Sequence, residues 1–416
     1  MSILNISDNA SAALHDWYSD VYEDAAYRDN VFLGLVKKED GRGQQVKQAI
    51  KIARTAGHGA DIASAITNQS SEGRKAFFTP WGKSYAVENV DNTEIDVSEG
   101  DDAAVVEILG DALEGCLRKC SEDLEHDLFG DGYGTRGTIG SHTGAGPFVL
   151  TLSQATDTLN WQVGDIGVSS AANNSGSLDT GSFTVTAVDT DAGTLTVTAN
   201  GGWAGGSNDT HVIFVTMDKI SGSYATALKV LGLKAWLPLA APTGGDNFGG
   251  VDRSVDPNKL AGVRVDARGM NVLQAINLLA TKIGLNRSAK PNVVMVNPLT
   301  YALLQDELQN SVRYDKSEGK TPGGASVFFD GIKIEGPRGP MMVHSAPGCD
   351  ADRLYVLTLE TWTLRSPKNT PVKMAGRAGK DGLIDVYNAD QVQVRQKYTA
   401  NLSCSFPGAN GVAQLA

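Results

Sequence analysis

The sequence predicts an α+β chain that carries a small all-β insertion, and three observations predict it. A run of about 29 residues starting at Ser98 has helical periodicity and no proline before Gly130. From Val392 to Phe406 apolar or small residues alternate with polar ones, the mark of a long half-buried strand. Between them, residues 145–222 are rich in Thr, Ser, Gly, Asn and Val, and Lys219 is their one basic residue.

The 416 residues, at roughly 150 per domain, imply two or three domains with a core that needs no disulfides. Apolar residues at 41% and charged ones at 20% are globular values. The 47 glycines are more than usual and imply many turns and arms. A net charge of −12 opposes general binding to phosphate backbones. The first thirty residues set six acids against Arg28, with no basic segment leading into an apolar one, so no secretion signal is expected. Apolar runs such as Val293 to Val296 fall far short of the ~18 residues of a membrane helix, and a soluble chain is expected. Four cysteines without a C-x-x-C pair fit synthesis in a reducing cytoplasm.

In chain order, Leu14, Trp17, Tyr18, Val21 and Ala25 recur at helical spacing, predicting an amphipathic helix over residues 10–28 that needs a partner surface. Val46, Ile50 and Ile52, and later Tyr85, Val87 and Asn89, alternate with period two. They predict a long two-stranded arm, with a polar outer loop from Gly57 to Lys75 and little core of its own. The long helix, N-capped by Ser98, would bury Val105, Leu109, Ala112, Leu113, Cys116, Cys120 and Leu124 and expose an acidic face. Within 145–222, Phe183, Val185 and Ala187 lead through Asp189 to Gly193 into Leu195 and Val197, a hairpin signature. Trp161 with Val163, Ile166 with Val168, and Val212 to Val215 supply further strands. Helix and strand then alternate: Met270 to Ile283, Val293 to Val296, and a helix over Leu299 to Leu308 opened by Asn297-Pro298.

Motifs that would carry chemistry are weak. Gly132-Tyr-Gly134-Thr-Arg-Gly137 matches G-x-G-x-x-G but follows a helix, so it reads as a hinge into the β insertion. The six histidines never form H-x-x-x-H, and only His126 neighbours several carboxylates. Cys116 and Cys120 read as small apolar filler. There is no G-x-S-x-G elbow and no P-loop, and His344-Ser345 is a bare adjacency. No catalytic, cofactor or metal residue is assigned, and no enzyme is expected.

The charges are organised instead. Residues 1–36 sum to −5, residues 37–83 to +5 and residues 91–131 to −12. The basic segment is the one that cannot bury its own strands, and the acidic one is a helix with a free face, so pairing between chains is expected. The candidate contact residues are Trp17, then Lys47, Lys51, Arg54, Arg74, Lys75 and Lys83 of the arm, and Glu107, Asp111, Glu114 and Glu122 of the helix.

This order of segments resembles the major capsid proteins of tailed bacteriophages with the HK97-like fold, over nearly the whole chain. The resemblance implies an N-arm (1–36), an E-loop (37–97), the P-domain spine helix and hinge (98–144), and the β insertion (145–222). A connecting P-domain segment (223–262), an A domain (263–367) and a returning P-domain strand with the C-terminus (368–416) complete it. It further implies hexamers and pentamers, an icosahedral shell around double-stranded DNA, assembly in the host cytoplasm and residence in the virion, with no cofactor. The E-loop begins about forty residues from Met1, so a separate scaffolding protein is expected, with a portal and a possible cement protein as further partners. Lysine–asparagine cross-links occur in the family, but no local motif marks a partner for Lys47, Lys75 or Lys83. An encapsulin-type cellular compartment is the alternative. An enzyme with a cleft beside the insertion and a tail or adhesion protein are weaker readings, and the latter leaves the long helix unexplained.

Overall fold

The computed structural model describes residues 30–52, 57–69, 73–92, 102–144, 146–173, 178–203, 210–215, 227–285, 289–311, 332–367, 372–374, 383–385 and 389–415. The expected helix over residues 10–28 and the Ser98 cap lie outside them.

The described chain opens on Asn30, whose side chain accepts a hydrogen bond from the Leu33 N–H at 2.9 Å and so caps helix α1 (Val31–Leu35). Strands β1 (Lys37–Asp40) and β2 (Gln45–Lys51), helix α2 (Ile62–Thr67), and strands β3 (Arg74–Pro80) and β4 (Gly82–Asp91) follow. Helix α3 (Asp102–Phe129) leads into six strands, β5 (Thr135–Thr143), β6 (Phe148–Leu152), β7 (Ile166–Ser170), β8 (Ser182–Asp189), β9 (Thr194–Asn200) and β10 (Val212–Val215). Beyond the two-residue strands β11 (Asn247–Phe248) and β12 (Val251–Asp252) come β13 (Val263–Asp266), helix α4 (Val272–Gly284), β14 (Val293–Val296) and helix α5 (Pro298–Ser311). The chain finishes with β15 (Ile332–Gly336), β16 (Gly339–Ser345), β17 (Arg353–Leu357), β18 (Trp362–Ser366), β19 (Val372–Met374), β20 (Leu383–Asp385), β21 (Gln391–Cys404) and β22 (Gly411–Gln414).

Two six-stranded sheets and a barrel result. In the first sheet β21 is the hub, pairing with β4 and β18 and with the short β19 and β20, while β1 lies parallel to β18. Helix α3 crosses β4 and β21 and buries Leu113, Cys116, Leu117, Cys120, Leu124 and Leu128, against Ala86, Val394, Tyr398 and Ala400 of the same core. Each such leucine contributes about 1.5–3 kcal/mol. The second sheet runs β13-β22-β17-β14-β16-β15 and mixes parallel and antiparallel pairs. Strand β14 reads Val-Val-Met-Val because both of its faces are covered: Val293 and Met295 belong to the core shared with α3, and Val294 and Val296 to the core under α4. Strands β5 to β10 close into a barrel with its own core of Ile139, Leu150, Phe183, Val185, Leu195, Val197 and Ile213. Closure leaves that module without an open edge. Among the described residues no helix is long and apolar enough to cross a membrane.

Four expectations are corrected. The barrel begins at Thr135, inside the expected hinge and ahead of residue 145, because β5 contributes Ile139 as its one aliphatic core residue and carries no strand pattern. Trp161 and Val163 form no strand; a 3-10 turn (Ala155–Asn160) instead delivers Trp161 to the barrel core. Within the expected E-loop, β4 leaves the arm and pairs with β21, because its inward residues Gly82, Ser84 and Ala86 are small enough to lie beneath α3, and β2 pairs with β3 instead. Finally, β18, expected in the A domain, joins the first sheet, while β22, expected with the returning strand, joins the second. The chain after β17 passes between the two sheets and stitches them together.

Candidate assembly surfaces

The arm is the hairpin β2–β3, and its inner side is not bare. Val46, Ile50, Phe77 and Thr79 are buried, and Phe77 meets Trp236 at 5.1 Å and Phe248 at 5.7 Å, edge to face. The Phe78 N–H donates to the Gly249 carbonyl at 2.8 Å, and Arg365 donates to the Lys47 carbonyl at 3.1 Å. An arm with little core of its own thus packs on the body: alternation places one face of each strand against the rest of the chain.

The outer side carries Lys47, Lys51 and Arg74, while Lys75 lies exposed at the end of the inner face. Lys47 stands opposite Phe78, with its ammonium 5.6 Å from the ring centre, Ile50 stands opposite Lys75, and Lys51 opposite Arg74. Placing Lys51 against Arg74 puts like charges across a ladder, an arrangement that an acidic partner relieves. Lys75 also lowers the carboxyl of Asp252, after that group's stronger hydrogen bonds from Ser254. Lys83 is not in the hairpin; it lies on β4, opposite Thr399. Trp17 and Arg54 lie outside the described residues.

On α3, Glu114 and Glu122 are exposed, and Glu122 pairs with Arg118 at 3.1 Å one turn away. Glu107 and Asp111 lie on the same helix, but their side chains are outside the description. The structure therefore gathers Lys47, Lys51, Arg74 and Lys75 on one hairpin and sets Glu114 and Glu122 on one helix.

Two surfaces were not foreseen. Between the arm strands, Asp61 caps α2 by accepting from the Ser64 N–H at 2.7 Å, which holds its carboxyl below the usual range, and the helix presents Ile62 and Ile66, 77% and 56% exposed. Their i, i+4 spacing behind an Asp cap was the available signal. On β4, Tyr85 and Val87 face outward, opposite Lys397 and Arg395.

The buried side of α3 is polar at its C-terminal end. Arg136 of β5 pairs with Asp123 at 2.9 Å, both nearly enclosed, and Lys229 donates to Ser84 at 2.9 Å. Tyr398 donates to Asp127. Burial acts to raise the Asp127 carboxyl, but Lys229, His126 and Arg136 hold it below the ordinary value, and burial first, then Asp127, pushes the Tyr398 hydroxyl far up. Burial likewise pushes the Cys120 thiol up to about 12, so it is inert filler.

No family model matches the chain, and no curated protein matches it. Among solved structures it is similar to a capsid protein of cyanophage A-1(L), at 12% identity over 93% of this chain and 92% of that one, with a TM-score of 0.46. A protein of Microbacterium phage Oxtober96 is similar at 11% identity over 93% and 91%, with a TM-score of 0.42. A virus-like particle from Pyrococcus furiosus is similar at 9% identity over 95% and 96%, with a TM-score of 0.35.

Proposed function

We propose that the chain is the major capsid subunit of a tailed phage, built on the HK97-like plan and assembling into hexamers and pentamers of an icosahedral shell around double-stranded DNA. One observation carries the reading: a hairpin arm rooted in the core by Phe77 ends in a helix whose Ile62 and Ile66 face solvent, while a 28-residue helix spans the sheet behind it. An exposed apolar pair on an anchored arm is a surface made for another copy.

In this reading the arm cations Lys47, Lys51, Arg74 and Lys75 lie along the Glu114 and Glu122 side of a neighbour's α3, and the segment bearing Trp17 docks on another subunit. Each exposed ion pair contributes only ~0.2–1 kcal/mol, so the contact works as a repeated network. The net charge of −12 suits a container for DNA, because a wall that bound phosphates tightly would resist filling. Scaffolding, portal and cement proteins would be its partners during assembly in the host cytoplasm.

Electron microscopy of the purified protein tests the proposal. Closed shells or capsomer rings are expected, and a protein that stays monomeric at millimolar concentration overturns it.

A further inference from the structure

The barrel meets the core across a charged seam. A cavity of about 270 Å³ lies there, bounded by β5 and the 3-10 turn on the barrel side, and by the end of α3 and residues 348–353 on the core side. Most of its charges are matched. Lys234 pairs with Asp350 at 3.0 Å, Arg353 reaches Asp350 at 3.2 Å and Asp352 at 3.3 Å, and Arg136 is held by Asp123. Asp131 accepts from the Tyr133 N–H at 3.0 Å and from Asn173, and His126 lies 3.5 Å from Asp127.

Asp157 is the exception. It sits on the 3-10 turn of the barrel, its Oδ2 against the backbone of Gly137, where an added Cβ would come within 3.2 Å of it. Among the described residues its carboxylate receives no hydrogen bond and forms no ion pair; across the cavity it faces Asp350 and Asp352, whose cations are already engaged. The covalent link at this seam turns sharply at two glycines: Gly132 and Gly134, between α3 and β5, take φ of +86° and +80°.

We propose that the seam is a proton-operated joint, in which the barrel's 3-10 turn rests on the 348–353 loop while Asp157 is protonated and tilts away from it, about the intact Arg136–Asp123 pair, when Asp157 ionises. This goes beyond the shell reading and does not depend on it. Burial, then Asp350, push the Asp157 carboxyl up to about 7, with Lys234 acting the other way and Asp352 adding to the rise. Released, the same carboxyl meets water and returns to about 4. The docked state is thus fully favoured below about pH 4, weakens as pH rises from about 4 to about 7, and levels off above that. His126 also faces the cavity, and Glu122 and Glu125 line the adjoining cleft.

The test is a spin–spin distance measured in the full chain, with nitroxides on D191C at the barrel tip and L285C on the core, both exposed. We expect one narrow distance at pH 5, an added longer population at pH 8, and a narrow distance at both pH values in Asp157→Asn. His126→Gln should keep the full response. A distance that ignores pH in the parent, or a response that survives in Asp157→Asn, overturns the proposal.

Discussion

Asp123 and Arg136 belong to different bodies, a helix of the core and a strand of the barrel, and each is nearly enclosed by the other's surroundings. Removing one partner strands a charge where water cannot reach it, at a cost of about 3–5 kcal/mol. Arg136→Met should therefore lower the denaturant midpoint sharply, and adding Asp123→Leu should recover much of the loss; a double variant no better than the single would refute the pairing. The carboxyls of Asp127 and Asp350 make an acid-side prediction. Both are held below the ordinary value although burial opposes it, Asp127 by Lys229 and Asp350 by Lys234. A lowered carboxyl stabilises the fold above its unfolded value near 4, and that stability is lost as pH falls through and below it. Thermal melts should drop steeply under about pH 4, and Asp127→Asn should flatten part of that drop. Neither residue was legible beforehand: Asp123 and Asp127 look like any other acids of an acidic helix, and only the arrival of β5 and Tyr398 on that side makes them interior.

At the scale of elements, the arm sorts two adjacent aromatics by which way they point. Phe77→Ala empties a site between Trp236 and Phe248 and should cost about 3–5 kcal/mol, whereas Phe78→Ala, at a ring 43% exposed, should cost at most about 1 kcal/mol. Denaturant titration of the two variants checks this directly. Ile62→Ser with Ile66→Ser on α2 should leave that titration unchanged and suppress assembly, as read by light scattering. The strong periodicities were readable, α3, α4, β14 and β21 among them, because each buries a whole face. The partner of β2 was not, since Tyr85, Val87 and Asn89 alternate as cleanly as Arg74 to Pro80, and pairing is decided by the small residues Gly82, Ser84 and Ala86 that α3 requires. The α2 helix was hidden in a stretch whose Ala, Ser and Gly content reads as loop.

For the molecule as a whole, the composition of residues 145–222 revealed a module, but its first strand was missed because β5 is Thr, Gly, Ser, Arg and His with Ile139 as its one aliphatic residue. That has a practical consequence. Replacing residues 135–215 with a Gly-Ser linker removes Arg136 but also uncovers Asp123, which keeps Lys119 at 3.9 Å and gains water, so the truncated chain should stay folded, and Asp123→Leu should not raise its melting temperature. If the truncated chain fails to give helical, soluble protein, the barrel is part of the core. The placement of β21 bears on force. Ten consecutive residues, Gln391 to Ala400, pair with β4 along one edge, and β19 and β20 pair with parts of the same run. A lengthwise pull on such a strand loads its ladder bonds in parallel, and they must give way together. The arm hairpin, pulled open from its base, would instead peel one pair after another. Under tension the molecule should therefore behave as a stiff plate with a compliant tether, yielding first in the arm and keeping the sheet that carries β21 intact.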